Sequence, residues 1–153
     1  MFSNSKLYLF LIIFYLGILG CASEELTSAR LYIQQENWEK AEEYLVKALE
    51  VEPENPEIPY LLGKLIYAKR KEWGKMNEMF DLALKLDKEK VILEGGTVKQ
   101  YVEQSRSQFW SNSFNNGVIE FNQFRKLSGD ERKTALDKAI LLFKEAMHIS
   151  PGE

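Results

Sequence analysis

The chain has 153 residues, 45% of them hydrophobic and 28% charged, with a formal net charge of −3. This length suits one compact domain, and the composition is typical of neither a disordered nor a collagen-like chain. One cysteine and one histidine exclude a disulfide framework, a Cys/His zinc site and a catalytic relay that needs a second imidazole. We therefore expect no enzyme activity, no metal and no other cofactor. A mildly acidic chain also has no electrostatic reason to bind nucleic acid.

The first 20 residues are predicted to be a signal peptide. Lys6 is their only ionisable side chain, and an apolar run of 14 residues, 7–20, follows it. A membrane-spanning helix needs about 20 apolar residues, so this run is too short for a transmembrane anchor. A short basic region and an apolar stretch that ends in small residues are typical of a secretory signal.

The only cysteine follows this segment directly. Ile18, Leu19 and Gly20 precede Cys21, and this ending resembles the lipobox of bacterial lipoproteins. The resemblance implies cleavage after Gly20 and acylation of Cys21, which leaves a lipid-anchored protein in the bacterial cell envelope. Residue 22 is Ala rather than Asp. In enterobacteria-like sorting this difference implies that the lipoprotein is anchored in the outer membrane and faces the periplasm. The alternatives are an ordinary signal peptide that ends near a cysteine, and a buried helix.

The rest of the chain has the spacing of helices, and the spacing repeats. Apolar residues recur three and four positions apart, which is the helical period. Three series of residues share steps of three, four, three and five. The series are Trp38, Ala41, Leu45, Ala48 and Pro53; Trp73, Met76, Phe80, Ala83 and Lys88; and Leu136, Ala139, Phe143, Ala146 and Pro151.

These series resemble the second helix of the tetratricopeptide repeat (TPR), a helix pair that stacks into a solenoid. The resemblance implies an all-α fold for residues 21–153, a TPR-like α-solenoid of antiparallel helix pairs. Ala83 and Ala146 are 63 residues apart. Because this is not a multiple of the roughly 34-residue period, the third unit is expected to contain elongated or extra helices. The predicted units are residues 22–55, 56–90 and 110–151, with 91–109 as an insertion.

Small residues occupy the positions where the paired helices are predicted to approach closely. Side chains of this size leave room for a large apolar residue of the neighbouring helix. The predicted packing positions are Ala29, Ala41, Ala48, Gly63, Ala83, Gly117, Ala139 and Ala146.

Two features predict the structure after the second unit. Gly95 and Gly96 break the chain, and Thr97 followed by Gln100 has the spacing of a capping box. We therefore predict a single helix from about Val98 to Leu127 and a last helix from Asp130, its N-cap, to about Ile149. The alternative is that residues 91–109 form a separate short helix packed across the array.

In this family the first helices of the units line a concave face. Aromatic side chains beside an Arg and a Lys suit a protein or peptide partner, because aromatics and arginine dominate binding energies. The pattern lacks the recurring Lys and Asn of chaperone-binding members. The alternative is that several of these aromatics are core residues of an irregular third unit. The positions that face the concave side are Leu26, Arg30 and Ile33 in the first unit; Tyr60, Lys64 and Tyr67 in the second; and Phe114, Val118 and Phe121 in the third. The predicted partner contacts among them are Arg30, Tyr60, Lys64, Tyr67, Phe114 and Phe121.

The last predicted helix carries an apolar face that no later helix of the sequence covers. Terminal units of such arrays need a polar capping helix. We therefore expect either a fragment of a longer array, or a partner or second copy that covers this face. The side chains concerned are Ile140, Leu141, Leu142, Phe143, Met147 and Ile149.

Together these features predict a lipid-anchored cell-envelope scaffold that binds protein or peptide partners through a TPR-like groove. Its other contact is the membrane, through the lipid on Cys21. One alternative is an accessory lipoprotein subunit of an envelope machine for outer-membrane assembly, pilus biogenesis or cell-wall synthesis. Another is the noncatalytic N-terminal part of a longer enzyme.

Overall fold

The structure is a computed structural model that describes residues 22–92 and 95–150. This part of the chain contains six helices and one antiparallel pair of two-residue strands, so the predicted all-α class is confirmed. The elements are α1 (Glu24–Gln34), α2 (Trp38–Val51), α3 (Glu57–Leu61, continued by the π-helical segment Leu62–Tyr67), α4 (Trp73–Asp87), β1 (Val91–Ile92), β2 (Gly96–Thr97), α5 (Val98–Phe124) and α6 (Gly129–Ile149).

Polar residues occupy the N-cap position of each described helix except α3, where Pro56 stands. At α1 the Ser23 hydroxyl accepts a backbone N–H at 3.2 Å, and at α5 Thr97 and Gln100 form the predicted capping box. The last helix differs from the prediction, because Ser128 is its N-cap residue and Asp130 lies in the first turn. A carboxylate in the first turn still interacts favourably with the helix dipole.

Consecutive helices pack as antiparallel pairs, beginning with α1 and α2. The rings of Tyr32 and Tyr44 lie 5.2 Å apart towards the turn between these helices, and the Ser23 N–H donates to Glu52 Oε1 at 2.5 Å at the opposite end. Partial burial of the Glu52 carboxyl works against its ionisation, but hydrogen bonds from Ser23 and Asn55 hold its pKa below the usual range. Glu52 therefore helps to fix the end of the molecule where α1 begins.

The third pair, α5 and α6, is a long hairpin. α5 has 27 residues, which corresponds to about 40 Å at the helical rise. The rings of Phe114 and Phe143 lie 5.6 Å apart, and Lys138 pairs with Glu120 nearer the turn. The prediction of one long helix is confirmed. The alternative of a separate short helix within residues 91–109 is wrong, since a strand pair comes first and α5 then continues without a break.

The eight small residues at the predicted helix contacts are all buried. Two of them bring an aromatic ring onto a helix backbone. A Cβ atom on Gly63 would lie 2.8 Å from the ring of Phe80, and one on Gly117 would lie 2.7 Å from the ring of Phe143. In both pairs, glycine on the first helix allows a phenylalanine of the second helix to pack against it.

Candidate protein-binding surface

The cation predicted on α1 is held by the next helix pair. Arg30 donates from Nε and Nη2 to Glu57 Oε1, at 3.1 and 2.6 Å. The Glu57 side chain is only 9% exposed, and it lies in the first turn of α3. Arg30 therefore links α1 to α3. Of its two neighbours in the predicted column, Leu26 is buried and Ile33 is half-buried.

Tyr60 is fully buried, so the prediction of an exposed Tyr60 is wrong. Its ring lies 5.9 Å from that of Phe80 and 5.8 Å from that of Tyr101. Its hydroxyl is 3.5 Å from the Ser105 hydroxyl. The first turns of α5, which the sequence presents only as an insertion, pack over α3 and remove Tyr60 from the surface.

The other two predicted contacts on α3 are half-buried. The Lys64 ammonium lies 5.4 Å from the ring centroid of Tyr60, and the Lys75 ammonium lies 5.4 Å from that of Tyr67. These are cation–π contacts within the protein. The α1 and α3 positions of the predicted groove thus make mainly internal contacts.

The predicted contacts on α5 are exposed. Phe114, Val118 and Phe121 follow one another at helical spacing along one stripe, with 39%, 37% and 42% of each residue exposed. Trp110 stacks on Phe114 with ring centroids 4.9 Å apart, and Phe124 stacks on Phe121 at 5.7 Å. These two supporting aromatics were not predicted, although Trp110 is four positions from Phe114 and Phe124 is three from Phe121 in the sequence.

Two side chains of α6 extend this stripe. Ile140 and Met147 flank Phe143 at helical spacing, and Phe143 contacts Phe114. Ile140 is 42% exposed and Met147 is 67% exposed. Of the predicted uncovered α6 residues, Leu141 is exposed on another side of the helix, Leu142 and Phe143 are half-buried and Ile149 is buried. The exposed residues on the common side, here called the hairpin apolar face, are Phe114, Val118, Phe121, Ile140 and Met147.

The part of the hairpin apolar face nearer the turn, with Val118, Phe121 and Ile140, projects from the rest of the molecule, whereas Phe114 and Met147 lie beside residues that adjoin α4 and the turn before it. Among the described residues, the hydrogen bonds, ion pairs and aromatic contacts that join α5 to α3 and α4 end at Phe109, which contacts Trp73 at 5.9 Å. The polar contacts of α6 with α4 and with the turn before it involve, of the residues that the structure describes, only Glu145, which pairs with Lys71, and His148, whose carbonyl accepts from Asn77. From Phe109 to Phe124, α5 extends for about 22 Å more.

The opposite side of the projecting hairpin is polar. A shallow groove of about 440 Å³ lies there, lined by residues that include Glu120, Gln123, Thr134 and Lys138. One side of the hairpin is therefore apolar and the other is hydrophilic. Exposed apolar side chains grouped in this way are typical of interaction sites.

No group of three or more His, Cys, Asp or Glu side chains in the described part of the chain is placed to hold a metal ion. None of the helices within residues 22–92 and 95–150 is long and apolar enough to cross a membrane. The predicted signal peptide and its motif, Ile18, Leu19, Gly20 and the lipidation residue Cys21, lie outside the described residues. In comparisons with known proteins, no family model matches the chain and no curated protein is similar to it.

Proposed function

We propose that the protein is a lipid-anchored scaffold of the bacterial cell envelope that binds a protein partner through the hairpin apolar face. The observation that carries this proposal is the set of five large apolar residues, 37–67% exposed, on one side of a projecting hairpin. Monomeric soluble proteins rarely expose contiguous apolar patches larger than a few hundred Å², and larger ones mark interaction sites. Exposed phenylalanines supported by stacked neighbours are suitable binding anchors.

A TPR-like arrangement is part of the proposal. Three successive helix pairs and the buried small residues support it. The second and third pairs also share one contact, in which a glycine lies against a phenylalanine of the predicted repeat column: Gly63 with Phe80, and Gly117 with Phe143. Repeated units are expected to repeat their packing, because each buries its apolar face in the same way.

The location of the exposed residues favours a subunit-like role over a free peptide binder. In the predicted groove Arg30 is paired with Glu57, although 44% of its side chain is exposed, and Tyr60 is buried, whereas the hairpin offers exposed Phe114 and Phe121. A projecting amphipathic hairpin suits stable docking to a folded protein. The exposed hairpin therefore favours the alternative function, that of an accessory lipoprotein subunit of a larger envelope assembly.

The lipid anchor is tested by Cys21→Ser. In cells fed a labelled fatty acid, we expect the wild type to incorporate the label and to begin at Cys21. Incorporation into Cys21→Ser should fall to background. Equal labelling of the two proteins would contradict acylation at Cys21.

Partner binding is tested by Phe121→Ser, with Ile119→Ser as the matched control. Ile119 is 52% exposed and points about 160° away from Phe121 around α5. Truncation of an aromatic anchor weakens binding by about 2 kcal/mol, roughly thirty-fold. We expect Phe121→Ser to lose the proteins that co-purify with the wild type from detergent extracts, and Ile119→Ser to retain them. The proposal fails if both variants retain the same proteins in equal amounts.

A further inference from the structure

Three basic residues border the hairpin apolar face. Arg125, the C-cap residue of α5, follows Phe121 by four positions, and Lys144 follows Ile140 by four on α6, so each lies beside the apolar stripe. Lys133 lies seven positions before Ile140 on the same side of α6. All three are exposed, and within residues 22–92 and 95–150 none forms an ion pair. Arg125, Lys133 and Lys144 are called the basic rim below.

The basic rim differs in charge from the remainder of the molecule. Residues 98–150, which form the hairpin, contain eight Lys and Arg against six Asp and Glu. Residues 22–97 contain eleven against sixteen. On the rim side of the hairpin, Asp137 is the acidic residue that helical spacing places beside the apolar stripe. The exposed apolar face is therefore bordered by three positive charges and one negative charge in a protein that is acidic as a whole.

We infer that the hairpin apolar face binds an amphipathic helix of a partner protein, and that acidic residues border the apolar stripe of this helix. The inference rests on the proposed function and adds the chemistry of the partner. Phe114 and Phe121 are seven residues apart, as are Ile140 and Met147, so the face extends for about two helical turns along each helix. A partner helix can place apolar residues along this length at the usual spacing, while its carboxylates meet the basic rim.

Charge and position disfavour two other occupants. A second copy that used the same face would bring two basic rims together. A lipid bilayer would have to reach the face far from the end that carries Cys21. Tyr101, in the first turn of α5, lies 5.8 Å from Tyr60 near the start of α3, and Glu52, which precedes α3, accepts the Ser23 N–H, so α5 starts at the end of the molecule where α1 begins. α5 then passes Trp73, in the first turn of α4, and ends about 40 Å from its own start.

The test uses two labelled synthetic peptides of 18 residues, each with the same leucine stripe at helical spacing. One carries Glu on both sides of the stripe and the other carries Lys. Fluorescence anisotropy with the purified full-length protein in neutral detergent should show the Glu peptide binding at least about ten-fold more tightly at low salt. The preference should shrink at high salt, because salt screens exposed charges. Phe121→Ser should lose binding of the Glu peptide, which separates binding to the face from uptake into micelles.

Charge reversal on the basic rim provides the matched comparison. Lys133→Glu combined with Lys144→Glu should reverse the preference, so that the Lys peptide binds more tightly. Lys85→Glu combined with Lys88→Glu makes the same change in net charge on exposed residues at the end of α4, and should leave the preference unchanged. The expected result is a reversal in the first variant only.

Three results would overturn the inference. The first is equal binding, or no binding, of the two peptides to the wild type. The second is a concentration-dependent dimer of the wild type that Phe121→Ser abolishes. The third is binding of the hairpin to anionic phosphatidylglycerol vesicles that Phe121→Ser abolishes and Cys21→Ser does not. If these results occur while Phe121→Ser still loses co-purifying proteins, only the acidic-helix inference fails and the proposed function stands.

Discussion

Replacement of Tyr60 by Ala is expected to lower the free energy of unfolding by about 3–5 kcal/mol, the usual loss for a large buried aromatic side chain. Tyr60 is fully buried and its ring contacts Phe80 of α4 and Tyr101 of α5. The substitution therefore opens a cavity where the second helix pair meets the hairpin. Urea unfolding followed by tryptophan fluorescence and by circular dichroism measures the change.

Tyr60→Phe is the control for this prediction. It retains the ring and removes only the hydroxyl, whose partner Ser105 is at the long distance of 3.5 Å. We expect a loss of about 1 kcal/mol or less, because a hydrogen bond of this kind contributes little net stability. If Tyr60→Ala changed stability by less than about 0.5 kcal/mol, as at ordinary surface positions, Tyr60 would not be a core residue.

Gly63→Ala is expected to destabilise the protein by about 1–3 kcal/mol, although alanine is the better helix former. The added Cβ would lie 2.8 Å from the Phe80 ring and 3.2 Å from the Met76 carbonyl oxygen. Phe80 is fully buried, and a close-packed interior leaves its ring little room to move. Gly117→Ala, which meets the half-buried Phe143, should cost less because that ring can shift towards solvent.

Gly74→Ala is the matched control for these two substitutions. Gly74 is exposed in the first turn of α4, and a Cβ atom there would have no neighbour within 4 Å. The same chemical change should therefore stabilise the protein, by up to about 1 kcal/mol. Equal effects at Gly63 and Gly74 in urea unfolding would contradict the close approach of α3 and α4.

The helices were predictable because local signals determine where they begin and end. The capping box of Thr97 and Gln100 places the start of α5 at the predicted residue. The small residues at the helix contacts were also predictable, since their spacing on each helix determines which side is buried. The predicted N-cap of α6, Asp130, was wrong, because Ser128 and Asp130 are both residues that commonly cap helices and local sequence does not separate them.

The candidate site was only partly predictable. Phe114 and Phe121 were identified as exposed on the basis of repeat position, but Tyr60 occupies the corresponding position on α3 and is buried. The difference depends on where the first turns of α5 pack, and this is a tertiary contact between residues 45 positions apart, Tyr60 and Ser105. No periodicity within one helix reports such a contact. Ile140 and Met147 of α6 lie beside the α5 stripe only because of the way the two helices pack against each other. This packing is likewise a tertiary contact.

Photo-crosslinking determines whether the hairpin apolar face binds another protein in the cells that naturally make this one. A photoreactive phenylalanine derivative replaces Val118 on the face or, as the control, Gln123, which lines the polar groove on the opposite side. The account predicts a discrete covalent adduct with another protein from position 118 and none from position 123. No adduct at position 118, or equal adducts at both positions, would contradict it.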